Sequence, residues 1–396
     1  MGTRHPTARI LLVGAVAAAL LVACGAPSSA PIPSQAGGSP APVRGTGAQG
    51  AAAPGDAESS TSSGQSLTMC PPAGSATSLT GAGATFPAPL YTRWFAEYHQ
   101  RCGVQINYQA IGSGGGISQH TNHTVDFGAS DGLLTPAQLD AAPGTIMIPM
   151  TAGAEAIIVN LQGFQRGQLR LTPDALAGIY LGEVTKWNDA RIASANPGLS
   201  LPSQDIIVVH RSDGSGTTFI FTDYLSKVST AWSQRVGSGT SVNWPTGLGG
   251  EQNAGVAGQV AQLPGSIGYV ELAYAVQNNL VWASLQNAAG EWVEPTLDGT
   301  TVAMQGVSLP DTMQVMLTNS THPAAYPIAG FTWILVYADQ TNAAKARTLA
   351  YFLSWALTQG QTFSADLFYA PLSPNAVEKA EALIHKITAN GQPVLP

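Results

Sequence analysis

The chain reads as an α/β protein of two lobes behind a non-globular leader. Three observations lead there. With 396 residues it is too long for one core and comfortable for two. After Ser66, strand-like runs give way repeatedly to glycine-rich loops and then to helix-periodic stretches. The composition is also uneven: only 10% of residues are charged while Gly and Pro number 44 and 27, as expected of a globular body joined to a low-complexity segment.

The leader comes first. MGTRHPTARI puts Arg4 and Arg9 ahead of an apolar run from Ile10 to Ala23, the pattern of an export signal and too short to span a bilayer comfortably. The run ends in Leu21-Val22-Ala23-Cys24-Gly25, which resembles the lipobox of bacterial lipoproteins. Residues 1–23 are therefore expected to be a signal peptide and Cys24 the lipidated new N-terminus, with the alternative an ordinary secretory signal carrying a chance cysteine. Two or more acyl chains would anchor the protein stably without spanning the membrane. From 24 to 65 the chain is rich in Ala, Pro, Ser and Gly and offers almost nothing to bury, so it is expected to be a disordered linker with a reach on the order of 35 Å. Loss of the signal removes two cations and no acid, making the formal charge of −7 more negative by two. Such a balance argues against nucleic acid or anionic lipid as a partner, and any anion must be attracted locally.

With Cys24 lipidated, Cys70 and Cys102 remain, and in an exported protein they most simply form a disulfide. Their loop length corresponds to roughly 3 to 4 kcal/mol on the chain-entropy estimate.

The body then runs as follows. Ser78 to Thr80 leads into GAGAT, after which Phe86, Leu90, Tyr91, Trp94, Phe95 and Tyr98 repeat at helical spacing; Thr85 reads as the N-cap and Pro87 sits in the first turn. Val104, Ile106, Tyr108 and Ala110 alternate with polar residues as a half-buried strand, which runs into Ile111-Gly112-Ser113-Gly114-Gly115-Gly116 and a second helix start. A short strand from Val125 to Ser130 delivers Asp131 at its carboxyl end. Ile206 to Val209 is a buried strand, followed by RSDGSGTTF from Arg211 to Phe219, where Ser215, Gly216 and Thr217 open a third helix.

Three helix N-termini at strand ends suit an oxyanion. The first turn of a helix exposes backbone N–H groups without internal partners, and glycines let a ligand approach them. Hydroxyls from Thr85, Ser113, Ser215 and Thr217 add donors, and Arg211 supplies a planar fork able to hold two oxygens. In open α/β sheets ligands gather at the carboxyl ends of strands. RSDGSGT lacks the Gly-Lys-Ser/Thr ending of a P-loop, and neither Ser113 nor Ser215 sits in a hydrolase elbow.

Eight stretches carry a closer likeness: LTGAGATFPAPLYTRW (79–94), NYQAIGSGGGI (107–117), VDFGASD (125–131), VVHRSDGSGTTFIFTDYL (208–225), YLGEVTKWND (180–189), NPGLSLPSQ (196–204), WPTGLGG (244–250) and LPGSIGYVE (263–271), all within an ordered match covering nearly everything after residue 75. The chain thereby resembles the phosphate-binding proteins of phosphate-specific ABC transporters. The resemblance implies a type II periplasmic-binding-protein fold, two lobes closing over one inorganic phosphate ion. Lobe one would comprise 75–151 with 327–396, and lobe two 152–326. Family contacts fall on Thr85 (hydroxyl), Phe86 (N–H), Ser113 (hydroxyl and N–H), Asp131, Arg211, Ser215, Gly216 (N–H) and Thr217. A second Ser common in the family is replaced by Gly114, which leaves one hydroxyl open. Asp213 matches the family's acid beside the site and reads either as an orienter of Arg211 or as a turn-forming residue. The resemblance further implies permease subunits and, through them, a cytoplasmic ATPase as partners, a monomer, an extracytoplasmic location, no cofactor, and no enzymatic activity.

Other features have plainer readings. His120 and His123 have the spacing of helical metal ligands, but no Cys or acid joins them and solvated helix positions explain them. Trp187, Trp244, Trp333 and Trp355 read as packing residues, and TLAYFLSWALTQG as a buried helix rather than a span. A phosphoesterase would need a nucleophile, base or metal cluster beside Arg211, and none is evident. An adhesin on the same fold would carry a degraded site, whereas this one is intact in sequence.

Overall fold

The computed structural model describes residues 70–396. The expected signal peptide, the lipidated Cys24 and the linker to 65 lie outside the described residues. Within the body, a strand–helix alternation begins with β1 (Ser78–Gly83), α1 (Ala88–Cys102), β2 (Gln105–Ala110), α2 (Ser113–Thr121) and β3 (Phe127–Ser130). There follow β4 (Thr145–Val159), β5 (Ile207–Arg211), α3 (Gly216–Val228), β6 (Leu248–Gly250), α4 (Gln252–Gln262), β7 (Ser266–Glu271), α5 (Leu272–Gln277), β8 (Ala329–Tyr337) and α6 (Ala343–Leu357).

These strands share one sheet in the order β2-β1-β3-β8-β4-β7-β5-β6, with Val281–Trp282 alongside β4. Pairing is parallel within each half, at β1/β2, β1/β3, β5/β7 and β5/β6, and antiparallel around β4. The 15-residue β4 joins the halves: Thr145 to Ala154 pair with β8, and Glu155 to Val159 pair with β7. Almost every side chain of β4 and β8 is buried, which is why both read as continuous apolar runs rather than alternating ones. Two α/β halves joined by crossing strands result.

Local sequence explains most elements. The apolar face of α1 places Leu90, Tyr91, Trp94, Phe95 and Tyr98 in the core, and Gly103 ends it in a left-handed conformation. Cys70 and Cys102 form a disulfide with a Cα–Cα distance of 5.3 Å, tying the start of the described chain to the end of α1. Trp187, Trp333 and Trp355 are buried, Trp244 is partly so, and α6 lies in the core. No helix among the described residues is long and apolar enough to cross a membrane.

Two expectations need correction. Thr85 is not an N-cap. Helix α1 starts at Ala88, whose N–H donates to Thr85 O in a preceding turn, and the Thr85 hydroxyl is engaged elsewhere. Nor is His120 solvated. It is buried beside Thr145, with Nε2 2.8 Å from Thr145 Oγ1, and its ring stacks on Tyr337, as does that of His123. Thr145 Oγ1 donates to Ala142 O, so His120 Nε2 is the protonated nitrogen. Burial, with the neighbouring His123, pulls the imidazole down to about 4, leaving a neutral packing residue.

Candidate functional site

The glycine-rich loops meet at the carboxyl ends of β1, β3 and β5. Thr85 and Phe86 follow β1, Ser113 opens α2, Asp131 follows β3, Arg211 ends β5, and Ser215 to Thr217 begin α3. Each of these residues is buried or nearly so. The sequence motifs from opposite halves are therefore brought to one cleft.

Arg211 is the cation of that cleft, with a side chain only 1% exposed. Its Nε and Nη2 form a fork on Asp213 at 2.7 and 2.5 Å. Burial alone would raise the Asp213 carboxyl, but the Arg211 bonds and charge outweigh it and hold Asp213 below the usual range. Asp213 Oδ1 also accepts the Gln252 N–H, tying this loop to α4. Arg211 Nη1 donates to Thr217 Oγ1 at 3.3 Å. A guanidinium has five N–H donors. Three are used here, so two remain on its outer edge, the pattern that grips two oxygens of one anion.

The helix starts are arranged by short bonds. Ser215 caps α3, its Oγ accepting the Thr218 N–H at 3.1 Å. Ser113 Oγ accepts N–H groups from Asp131 at 3.2 Å and Gly216 at 3.0 Å, and donates to Asp131 Oδ2 at 3.4 Å. The Gly216 N–H, expected to face a ligand, is thus directed at Ser113 in this geometry. Phe86 O accepts from Tyr369 Oη. The two halves touch where Gly114 N–H donates to Gly214 O at 2.8 Å. Gly112, at φ 86°, is needed here: a Cβ would stand 2.4 Å from Asp213 Oδ2 and 2.6 Å from Gly214 O.

Three carboxyls sit in or behind the cleft. Asp131 Oδ1 makes no hydrogen bond of ordinary geometry among the described residues, and burial pushes its carboxyl up to about 7 against the pulls of the nearby Thr332 hydroxyl, Arg211 and Ser113. Glu155 and Glu271 are register partners on β4 and β7, both fully buried. Burial raises both well above the carboxylate range. Neither oxygen of Glu155 has a partner, whereas Glu271 Oε2 lies 2.9 Å from the Ala273 N–H and 2.9 Å from Tyr369 Oη. Tyr369 has one proton and stands 2.6 Å from Phe86 O, which can only accept, so the Glu271 carboxyl supplies its own proton to the chain. With Arg211 neutralised by Asp213 and with Glu155 and Glu271 protonated, the groups that the cleft offers an anion are hydroxyls, amides and the free guanidinium edge rather than net positive charge.

Three residues escaped the sequence reading. Asn253, at the start of α4, sends Nδ2 to both Thr85 Oγ1 at 2.9 Å and Thr217 Oγ1 at 3.2 Å. The signal was there: the glycine-rich LGG strand leads into a helix, as in the three motifs that were found. Glu155 and Glu271 carried a weaker one, single acids inside apolar strands.

The fold and its cleft define a two-lobed solute-binding protein. A family model described as the PBP superfamily domain matches residues 56–359. The phosphate-binding protein PstS of Xylella fastidiosa is 48% identical over 306 residues, covering 77% of this chain and 84% of that protein. PstS of Pasteurella multocida is 45% identical, covering 78% and 90%. A crystal structure of a phosphate-binding protein from Stenotrophomonas maltophilia shares the fold with a TM-score of 0.59 at 20% identity, covering 78% and 94%. The chain belongs to the PstS family of phosphate-binding proteins, and so to binding proteins rather than enzymes.

Proposed function

We propose that this protein captures inorganic phosphate outside the cytoplasm and delivers it to the permease of an ABC transporter, held to the membrane face by lipid on Cys24. Lobe one would be 75–151 with 327–396 and lobe two 152–326. The observation that carries the reading is that Arg211, with two N–H donors free, and the hydroxyl residues Thr85, Ser215 and Thr217 are buried at the same strand ends as Asp131, whose charge acts on Arg211. Phe86 and Ser113 line the same cleft through their backbone N–H groups, and Asp213 orients the guanidinium. Gly216 joins the contact set once its N–H turns from Ser113 to the ion.

Asp131 gives the selectivity. Phosphate near neutral pH carries a proton and sulfate does not, so a carboxylate accepts a hydrogen bond from the first and repels the second. A site built to pair with a ligand's OH rejects an analogue lacking it by about 10⁴ to 10⁵. Burial raises the Asp131 carboxyl to about 7, so above that pH it is the carboxylate that accepts the ligand's hydrogen bond. Below that pH Asp131 brings its own proton and can donate to sulfate, so exclusion of sulfate weakens as pH falls from 8 to 5.

Calorimetry of the ligand-free full-length protein against phosphate, sulfate and arsenate tests this. Phosphate and arsenate should bind and sulfate should not at pH 8. Asp131→Asn should narrow the phosphate-to-sulfate gap by at least about tenfold, since an amide donates to sulfate. An unchanged ratio removes Asp131 from the role, and equal binding of all three anions overturns the proposal. The anchor is read separately: Cys24→Ala should release the protein from membranes into the soluble fraction.

A further inference from the structure

Asn253 is wholly buried at the first turn of α4. The Glu271 N–H reaches one of its side-chain atoms at 3.0 Å. A peptide N–H only donates, so that atom is Oδ1 and the other is the amide nitrogen. An amide nitrogen cannot accept. The Thr85 and Thr217 hydroxyl oxygens it contacts, at 2.9 and 3.2 Å, are therefore both acceptors in those bonds. Thr217 Oγ1 receives a further N–H from Arg211. Each hydroxyl has a single proton to give, and among the described residues neither gives it to a protein acceptor. Both protons are thus turned away from Asn253 and Arg211.

We infer that Asn253 is a positioning residue that fixes the Thr85 and Thr217 hydroxyls as donors toward an oxyanion in the cleft. The inference deepens the phosphate reading and rests on it. A freely rotating hydroxyl serves a donor or an acceptor alike, so it discriminates nothing. With both threonines held as donors, Asp131 is left as the acceptor, and a ligand proton is welcome at one place only. The device also acts across the closure. Thr85 belongs to one half and Asn253 to the other, and Tyr274 Oη, on α5, donates to Thr85 O at 2.6 Å. The half that carries α4 and α5 therefore grips Thr85 by both its hydroxyl and its carbonyl, so the Thr85 donor is set as the halves meet.

A double-mutant cycle decides the matter, using ligand-free full-length protein, inorganic phosphate at pH 8 and calorimetry. In Asn253→Asp the new carboxylate accepts from both hydroxyls and reverses them, while still serving the Glu271 N–H. Affinity should fall about hundredfold or more, but charge repulsion alone would do the same. The cycle separates the two. Thr85→Val should weaken the parent protein by about tenfold to a hundredfold, a donor to an anion being lost. In the Asn253→Asp background it should change affinity by less than about twofold, because the hydroxyl has already been turned. Equal Thr85→Val penalties in both backgrounds overturn the inference, since charge repulsion acting alone leaves the two penalties additive.

If circular dichroism shows Asn253→Asp unfolded, Asn253→Ala replaces it. There the Thr85→Val penalty should shrink at least about threefold, because the hydroxyl is free to rotate, and an unchanged penalty again overturns the role. Failure of the parent protein to bind phosphate overturns the phosphate reading together with this one. Tight binding with additive penalties overturns the role of Asn253 alone.

Discussion

Glu155 shows what a single buried residue does to the whole protein's pH response. It lies at the crossover of β4, its N–H bonded to Ile328 O, with both carboxyl oxygens unpartnered. The charged groups acting on it are Asp131 and Glu271, which oppose its ionisation, and Arg211, which favours it; desolvation outweighs them all. Its folded-state pKa is therefore raised, and the native protein keeps a proton that the unfolded chain loses near pH 4.3. The associated stability is fully present below that value and is lost as pH rises toward the raised one. Glu155→Gln keeps the shape and removes the titration. It should leave stability at pH 4 nearly unchanged, make the protein more stable than its parent at pH 8, and reduce the downward slope between them by up to about 1.4 kcal/mol per pH unit. Denaturant unfolding across that range reads it, and an unaltered slope would show that Glu155 is ionised in the fold.

At the scale of elements, the loops that open α2 and α3 work because their glycines let two backbones touch. A Cβ on Gly114 would stand 3.0 Å from Gly214 Cα and 3.3 Å from its carbonyl oxygen. Gly114 is therefore a contact between halves in this chain. Gly114→Ala should weaken phosphate binding roughly tenfold, an overpacking cost of about 1 to 2 kcal/mol, while thermal unfolding without phosphate stays within about a degree. Calorimetry showing full affinity would mean the halves do not approach this closely when ligand is bound. These loops were legible in sequence because their signals are local: a strand, a glycine run, a hydroxyl residue and a helix period lie within about ten residues of one another. Thr85 was misread as a cap because capping is also a local expectation, and a partner 168 residues away took its hydroxyl instead. Asn253, Glu155 and Glu271 stayed hidden for the same reason. The LGG strand before α4 and the lone acids in β4 and β7 mark these positions, but their partners are set only by the pairing of β4 with β7 and the packing of α4 at the site, which no ten-residue window encodes.

For the whole molecule the issue is when the halves meet. Four bonds described above cross the cleft: Gly114 N–H to Gly214 O, Gly216 N–H to Ser113 Oγ, Asn253 Nδ2 to Thr85 Oγ1 and Tyr274 Oη to Thr85 O. They tie loops whose elements are otherwise joined through β4 and β8, so they can open while the sheet stays intact. A ligand that bridges the halves stabilises the closed form by its differential affinity for it. Phosphate should therefore slow amide exchange in residues 112–117 and 214–219, where the Gly114 and Gly216 amides become donors across the cleft. Amides of α6, packed in the core far from these bonds in sequence, should exchange equally with and without phosphate, because their opening is part of global unfolding. Hydrogen exchange read by mass spectrometry distinguishes the cases. Selective protection of the two loops supports lobes that close on the ion. Uniform protection of loops and α6 together would reflect only the general stabilisation that any bound ligand confers, near 2.7 kcal/mol at about a hundredfold excess over Kd. Loops already protected without phosphate would mean that the halves stay shut and that the ion enters by local breathing, in which case Gly114→Ala would strain the empty protein as much as the loaded one.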